Sequence, residues 1–97
     1  MDELYTKLAD LAARYGAQRL VLYGSRARGD FHARSDVDLA VYGMPKKQRG
    51  GFSLEAEDLP TLLKLDIVHI SENMEPAFLQ NIEKDGVTLY AAEDRKL

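Results

Sequence analysis

Apolar residues return every third or fourth position through residues 2–15, "DELYTKLADLAARY", where Leu4, Leu8, Leu11, Ala12 and Tyr15 share one side. That spacing predicts an amphipathic first helix, with Gly16 standing where a C-terminal cap glycine belongs. At Arg19 the period changes. The β-favouring run "RLVLY" predicts a short buried strand, stopped by Gly24-Ser25. Residues 26–35 are polar and contain Gly29, which predicts a loop or a short helix opening at Ser25. A second strand is predicted over residues 36–42, "DVDLAVY".

The next stretch, "GMPKKQRGG" at residues 43–51, combines glycines, a proline and basic residues and predicts a mobile loop. Pro60 keeps any helix within residues 52–63 short. Alternation in "LKLDIVHI", residues 63–70, predicts a third strand; Ser71 then caps a helix that includes residues 76–84 and ends at Gly86. "VTLY" supplies an edge strand, and "AAEDRKL" reads as a frayed tail. Strands alternating with helices in this way predict an α/β sandwich with helices mainly on one side of the sheet. One sheet face is thereby left for a site, and residues 1–97 are read as a single domain.

Composition narrows the function classes. Sixteen acidic against thirteen basic residues give a net charge of -3, so no overall field draws the molecule to nucleic acid or an anionic membrane. Any phosphate binding must be local. The five tyrosines have no stacking spacing, and direct nucleic-acid binding is not expected. With no cysteine, disulfides, thiolate metal sites and a cysteine nucleophile are excluded. No apolar run approaches the ~20 residues that cross a bilayer, and a cytoplasmic protein is the default expectation.

Against that background the aspartates stand out. Aspartate is depleted in strands, and alternation turns Asp36 and Asp38 to one face while Val37, Leu39 and Val41 take the other. Two like charges on one face are relieved most simply by a hard cation such as Mg²⁺ or Mn²⁺; two solvated carboxylates on an edge strand fit the pair equally well. Asp66, in the third strand, shifts that balance. If the two strands are neighbours, three carboxylates converge, which is the ligand set of a two-metal phosphoryl or nucleotidyl transfer site.

The Gly24-Ser25 step adds a second element, since a tight turn opening a helix lets backbone N–H groups approach a phosphate. Ser25 can add its hydroxyl and Arg26 and Arg28 their guanidiniums, Arg26 ranking first because it is nearer the turn; a plain turn with solvated arginines is the bland alternative. Two other motifs fail. Asp30 and Phe31 stand where a P-loop needs Lys and Ser or Thr, and Leu39 and Ala40 break the calcium-loop pattern that begins at Ser35. Arg28-Gly29-Asp30, which matches an adhesion tripeptide, is coincidental in a chain with no visible secretion signal.

Gly24-Ser25, a ten-residue gap, Asp36-Val37-Asp38-Leu39 and the later Asp66 together resemble the signature of the DNA polymerase β-like nucleotidyltransferase superfamily. The likeness is closer still to its minimal nucleotidyltransferase domains, and it runs through most of the chain to "IEKDGVTLY". The resemblance implies a small mixed sheet flanked by helices, the nucleotidyltransferase fold. It also implies that Gly24, Ser25 and Arg26 bind the phosphates of ATP, and that Asp36, Asp38 and Asp66 ligate two Mg²⁺ ions, with Mn²⁺ as a substitute. Asp66 would help activate the incoming hydroxyl.

The same resemblance implies a partner. Minimal domains of this kind pair with small all-helical HEPN-type toxins, forming a hetero-oligomer in which the nucleotidyltransferase acts as antitoxin by adenylylating a tyrosine. Two alternatives stay open: a small-molecule or RNA-end acceptor, and a non-catalytic antitoxin that works by occlusion. Lys46, Lys47 and Arg49 read as a solvated basic loop rather than a phosphate clamp, His69 as a packed or partner-facing residue, and His32 as solvent-facing.

Overall fold

The structure, a computed structural model, describes residues 2–92. Its elements are α1 (Asp2–Arg14), β1 (Arg19–Tyr23), α2 (Ser25–Arg28), β2 (Val37–Tyr42), α3 (Lys46–Glu57), β3 (Leu65–His69), α4 (Pro76–Asp85) and β4 (Val87–Ala91). The strands form one mixed sheet in the order β3-β2-β1-β4. β1 runs antiparallel to both β2 and β4, whereas β2 and β3 are parallel and joined through α3, as a parallel pair requires a crossover. Residues 93–97, most of the expected frayed tail, lie outside the described residues.

Alternation along the strands divides the core in two. Leu20 and Leu22 of β1 and Val37, Leu39 and Val41 of β2 face a large cluster with Leu8, Leu11 and Ala12 of α1 and Phe52 and Ala56 of α3. On the other face Val21 and Ala40 meet Ile82 of α4, flanked by Tyr23, Tyr42, Ile70 and Phe78. Among the described residues, the back of the sheet thus carries α1 and α3, and the front carries α4. Leu8, Leu20, Leu39 and Phe52 are completely buried, and truncating such a residue to Ala costs about 2–5 kcal/mol.

The basic stretch at residues 43–51, expected as a mobile loop, enters a helix at Lys46. Packing explains the difference. Phe52 and Ala56, one helical turn apart, are buried against the sheet, and the Phe52 ring meets Tyr15, just past the end of α1, edge-on at 6.3 Å. The Tyr15 hydroxyl donates to Glu55, and Arg14 Nη2 reaches Glu55 Oε1 at 3.3 Å. Gly51 makes this approach possible: a Cβ there would stand 2.8 Å from Tyr15 Cε1. Two glycines lower the helix propensity of the stretch, and the tertiary contacts outweigh them. The end is as expected, with α3 stopping at Glu57, before Pro60.

Ser71 does not cap α4. Its hydroxyl and carbonyl accept from the amides of Asn73 and Met74, both at 3.3 Å, in a separate turn. Pro76 sits in the first turn of α4 and holds Glu75 extended at φ -58, ψ 132, so the helix cannot start earlier. β4 then pairs with β1 as the predicted edge strand.

Candidate active site

β1 ends at Tyr23, whose partner across the antiparallel pair is Asp38; across the parallel pair, Asp38 is in register with Asp66. Tyr23, Asp38 and Asp66 therefore form one row over three strands, on the front face that Tyr23 shares with Ala40. The neighbouring strands that the three-carboxylate reading requires are present. Asp36 lies two residues before Asp38, exposed in the approach to β2.

The chain leaves β1 through Gly24, at φ 78 and ψ -156, a conformation open essentially to glycine alone. A side chain there would also overlap Asp38 Oδ2, with Cγ only 3.2 Å away. The turn and the acidic strand are thus fitted to each other, because the missing Cβ is what lets the Asp38 carboxylate lie over it. Ser25, half-buried, opens α2, and the amides of Ala27 and Arg28 close the turn on the Gly24 carbonyl at 3.1 Å. As the first residues of a helical turn, Ser25 and Arg26 have amides without intrahelical acceptors.

Charge is concentrated in this row. Burial pushes the Asp38 carboxyl above the usual carboxylate range, and the neighbouring Asp66 and Asp36 charges push it further; Arg28 acts in the opposite sense. The Tyr23 hydroxyl is raised as well, by burial first and then by Asp38 and Asp66. Three oxygen-donor side chains that repel one another suit a hard divalent cation in kind. Among the described residues, however, no group of three His, Cys, Asp or Glu side chains is placed to hold a metal ion, so the three expected carboxylates are not brought together as one ligand set. The aspartates form an open set, with Asp38 and Asp66 adjacent and Asp36 approaching from a loop.

The two arginines separate. Arg26 is only 8% exposed, and its Nε donates to the Ser35 carbonyl at 3.1 Å while Nη2 donates to those of Ala33 and His32 at 3.2 and 3.5 Å. Its guanidinium also stacks on the Phe31 ring, 4.6 Å from the centroid. Arg28 is exposed, pairs with Asp30 at 3.1 Å, and is the arginine whose charge reaches Asp38. The ranking by distance along the chain therefore does not match the geometry, since neighbours on a one-turn helix face different ways.

Other expectations resolve by face. Lys46, Lys47 and Arg49 ride on α3, which packs on the back of the sheet, opposite Asp38. His69 packs there too, edge-on to Phe52 at 6.5 Å, with Nδ1 buried and unpartnered. His32 is exposed, and its Nδ1 accepts from the Arg34 amide.

Two recesses flank the row, and the sequence pattern points to neither. On the β1 side, Tyr23, Gly24, Arg28, Phe78, Asn81, Ile82 and Asp85 line about 320 Å³, with Phe78 edge-on to Tyr23 at 5.8 Å. On the β3 side, Ala33, Arg34, Asp36, Leu62, Leu63 and Lys64 line about 510 Å³, and Leu62 is fully exposed. The lining residues are distant in sequence, and only the strand order brings them together.

Comparison with known proteins agrees with this fold. The sequence model of the family described as polymerase beta nucleotidyltransferases matches residues 6–95. A structure described as a minimal nucleotidyltransferase is 27% identical at TM-score 0.71, with 89% of each chain covered. A toxin-antitoxin structure with AMP-PNP is 22% identical at TM-score 0.69, covering 92% of this chain and 74% of that one. The MNT antitoxin structure from Shewanella oneidensis, in complex with a tri-AMPylated HEPN toxin, is 20% identical at TM-score 0.64, covering 95% and 74%. The latter two likenesses are of fold. No curated protein sequence matches the chain.

Proposed function

Because the chain belongs to the polymerase β nucleotidyltransferase family, we propose that it transfers AMP from ATP to a tyrosine hydroxyl of a small helical HEPN-type toxin, acting as that toxin's antitoxin in a cytoplasmic hetero-oligomer. The observation that carries the reading is the row of Asp38 and Asp66 beside the side-chain-free turn at Gly24. The choice of acceptor draws on the AMPylated HEPN toxin seen with a structural neighbour.

In this reading the Gly24-Ser25 turn receives the β and γ phosphates through its free amides and the Ser25 hydroxyl. Arg28, the arginine felt by Asp38, adds charge at the same end. Asp36, Asp38 and Asp66 would hold Mg²⁺, which when bound neutralises the phosphates and stabilises the leaving pyrophosphate. The acceptor oxygen bonds to the α-phosphorus as the bond to the bridging oxygen breaks; pyrophosphate leaves with the electron pair and the hydroxyl proton is released. In-line displacement keeps acceptor and leaving group on opposite sides. With the phosphate turn at the end of β1, the acceptor enters from the β3 side, over Asp66 and the groove at Asp36, Leu62 and Lys64.

The test is labelled ATP with Mg²⁺ and the helical protein encoded beside this chain. Label is expected on a tyrosine of that partner and is lost in the Asp36→Ala, Asp38→Ala double variant. An unlabelled partner, with the double variant still neutralising the toxin, overturns transfer in favour of occlusion. Strong pyrophosphate release with small-molecule or RNA-end acceptors and none with protein overturns the choice of acceptor.

A further inference from the structure

A buried guanidinium needs hydrogen bonds to replace water, and the partners of Arg26 are unusual in all lying on one short segment. Carbonyls of His32, Ala33 and Ser35 accept its Nε and Nη2, and Phe31 stacks against its plane. That segment folds back on itself as well, with the Ser35 amide donating to the His32 carbonyl at 3.0 Å and the His32 amide to Ser35 Oγ at 3.0 Å. The residue that follows is Asp36. The residue that precedes Arg26 is Ser25. One side chain therefore bridges the gap between the phosphate turn and the first aspartate, and it is fixed at both ends.

We propose that Arg26 is a positioning residue, which fixes the loop position of Asp36 at the start of β2 by gripping the 32–35 segment, and that it is not a ligand of the triphosphate. The proposal rests on the nucleotidyltransferase reading above for what Asp36 does; the grip itself does not. Geometry favours the fork of an arginine over the point charge of a lysine, because Nε and Nη2 point in fixed, separate directions to the Ser35 and Ala33 carbonyls. Phe31, exposed at 45%, acts with it by covering the guanidinium plane.

The test uses the full chain and two variants, Arg26→Lys, which keeps the charge, and Phe31→Leu, which leaves Arg26 in place. Hydrogen exchange on the nucleotide-free chain is read at the His32 and Ser35 amides. Both variants should keep the wild-type circular dichroism spectrum and speed exchange at those amides, Arg26→Lys more than Phe31→Leu. Mn²⁺ affinity in the presence of a non-hydrolysable ATP analogue, followed by electron paramagnetic resonance, should fall roughly tenfold in Arg26→Lys, as expected when a residue supporting a metal ligand is lost. In transfer assays kcat should fall while KM for ATP stays nearly constant. Unchanged exchange in Arg26→Lys, or raised KM with unchanged kcat, overturns the proposal in favour of a phosphate ligand. Should the wild type neither bind Mn²⁺ nor transfer AMP, the nucleotidyltransferase reading fails, and exchange still decides the grip.

Discussion

Asp38 is held between two requirements. Its carboxylate lies over Gly24 and beside Asp66, and among the described residues no cation pairs with it. Like charges opposite one another in a sheet destabilise by up to about 1 kcal/mol, which corresponds to a few degrees in a domain of this size. Asp38→Asn should therefore raise the melting temperature of the metal-free chain, and Mg²⁺ should stabilise the wild type but not the variant. Equal responses to Mg²⁺ in thermal melts would remove Asp38 from the cation site. Gly24→Ala should do the reverse of Asp38→Asn, since the methyl meets the carboxylate in a backbone conformation alanine avoids. A loss of about 1–3 kcal/mol is expected in denaturant melts. The row of Asp38 and Asp66 and the need for glycine at 24 were legible in the sequence because chemistry dictates residue type there and alternation dictates the face. The partners of Arg26 were not, because the direction of a side chain on one helical turn depends on where the following loop returns.

Among the elements, α3 shows what patterning leaves out. Its two central glycines and basic start carry the local signature of a loop, and the helix exists because Phe52 and Ala56 bury against the sheet beside Tyr15. The glycines can be told apart only in three dimensions. A Cβ at Gly50 meets nothing within 4 Å, whereas one at Gly51 meets the Tyr15 ring. Gly50→Ala should therefore stabilise the chain by roughly 0.5–1 kcal/mol, the helix-interior preference for alanine. Gly51→Ala should cancel that gain or reverse it by displacing Tyr15 from Glu55. Paired urea melts measure the difference, and equal stabilisation by both changes would show that α3 does not press on Tyr15 through this glycine. The strands were more legible than this helix. β1 matches its expected bounds, and β2 and β3 fall inside theirs, because short alternating runs between turn residues carry their own boundaries.

At the scale of the molecule, the sheet separates two titrating groups that respond to pH in opposite senses. His69 lies behind it, where burial and then the Arg49 charge hold its imidazole below the ordinary value of 6.5. Asp38 lies in front, with its carboxyl raised by burial and its acidic neighbours. As pH falls through 6.5 the unfolded chain protonates its histidine while the folded chain resists, so the His69 contribution, fully present above 6.5, is lost toward the lower folded value. Asp38 works the other way, because the folded chain binds that proton more readily and stability is gained as pH falls. Glu55 and Glu83 have carboxyls held below the usual range by Tyr15 and Arg19, and their contributions are lost only at more acid pH. A His69→Gln variant should therefore lose less melting temperature than the wild type between about pH 7.5 and about pH 5.5, where histidine is the side chain that ordinarily titrates. Parallel pH curves for the two proteins would mean that the imidazole is solvated in solution, and that Phe52 does not bury it as the back of the sheet requires.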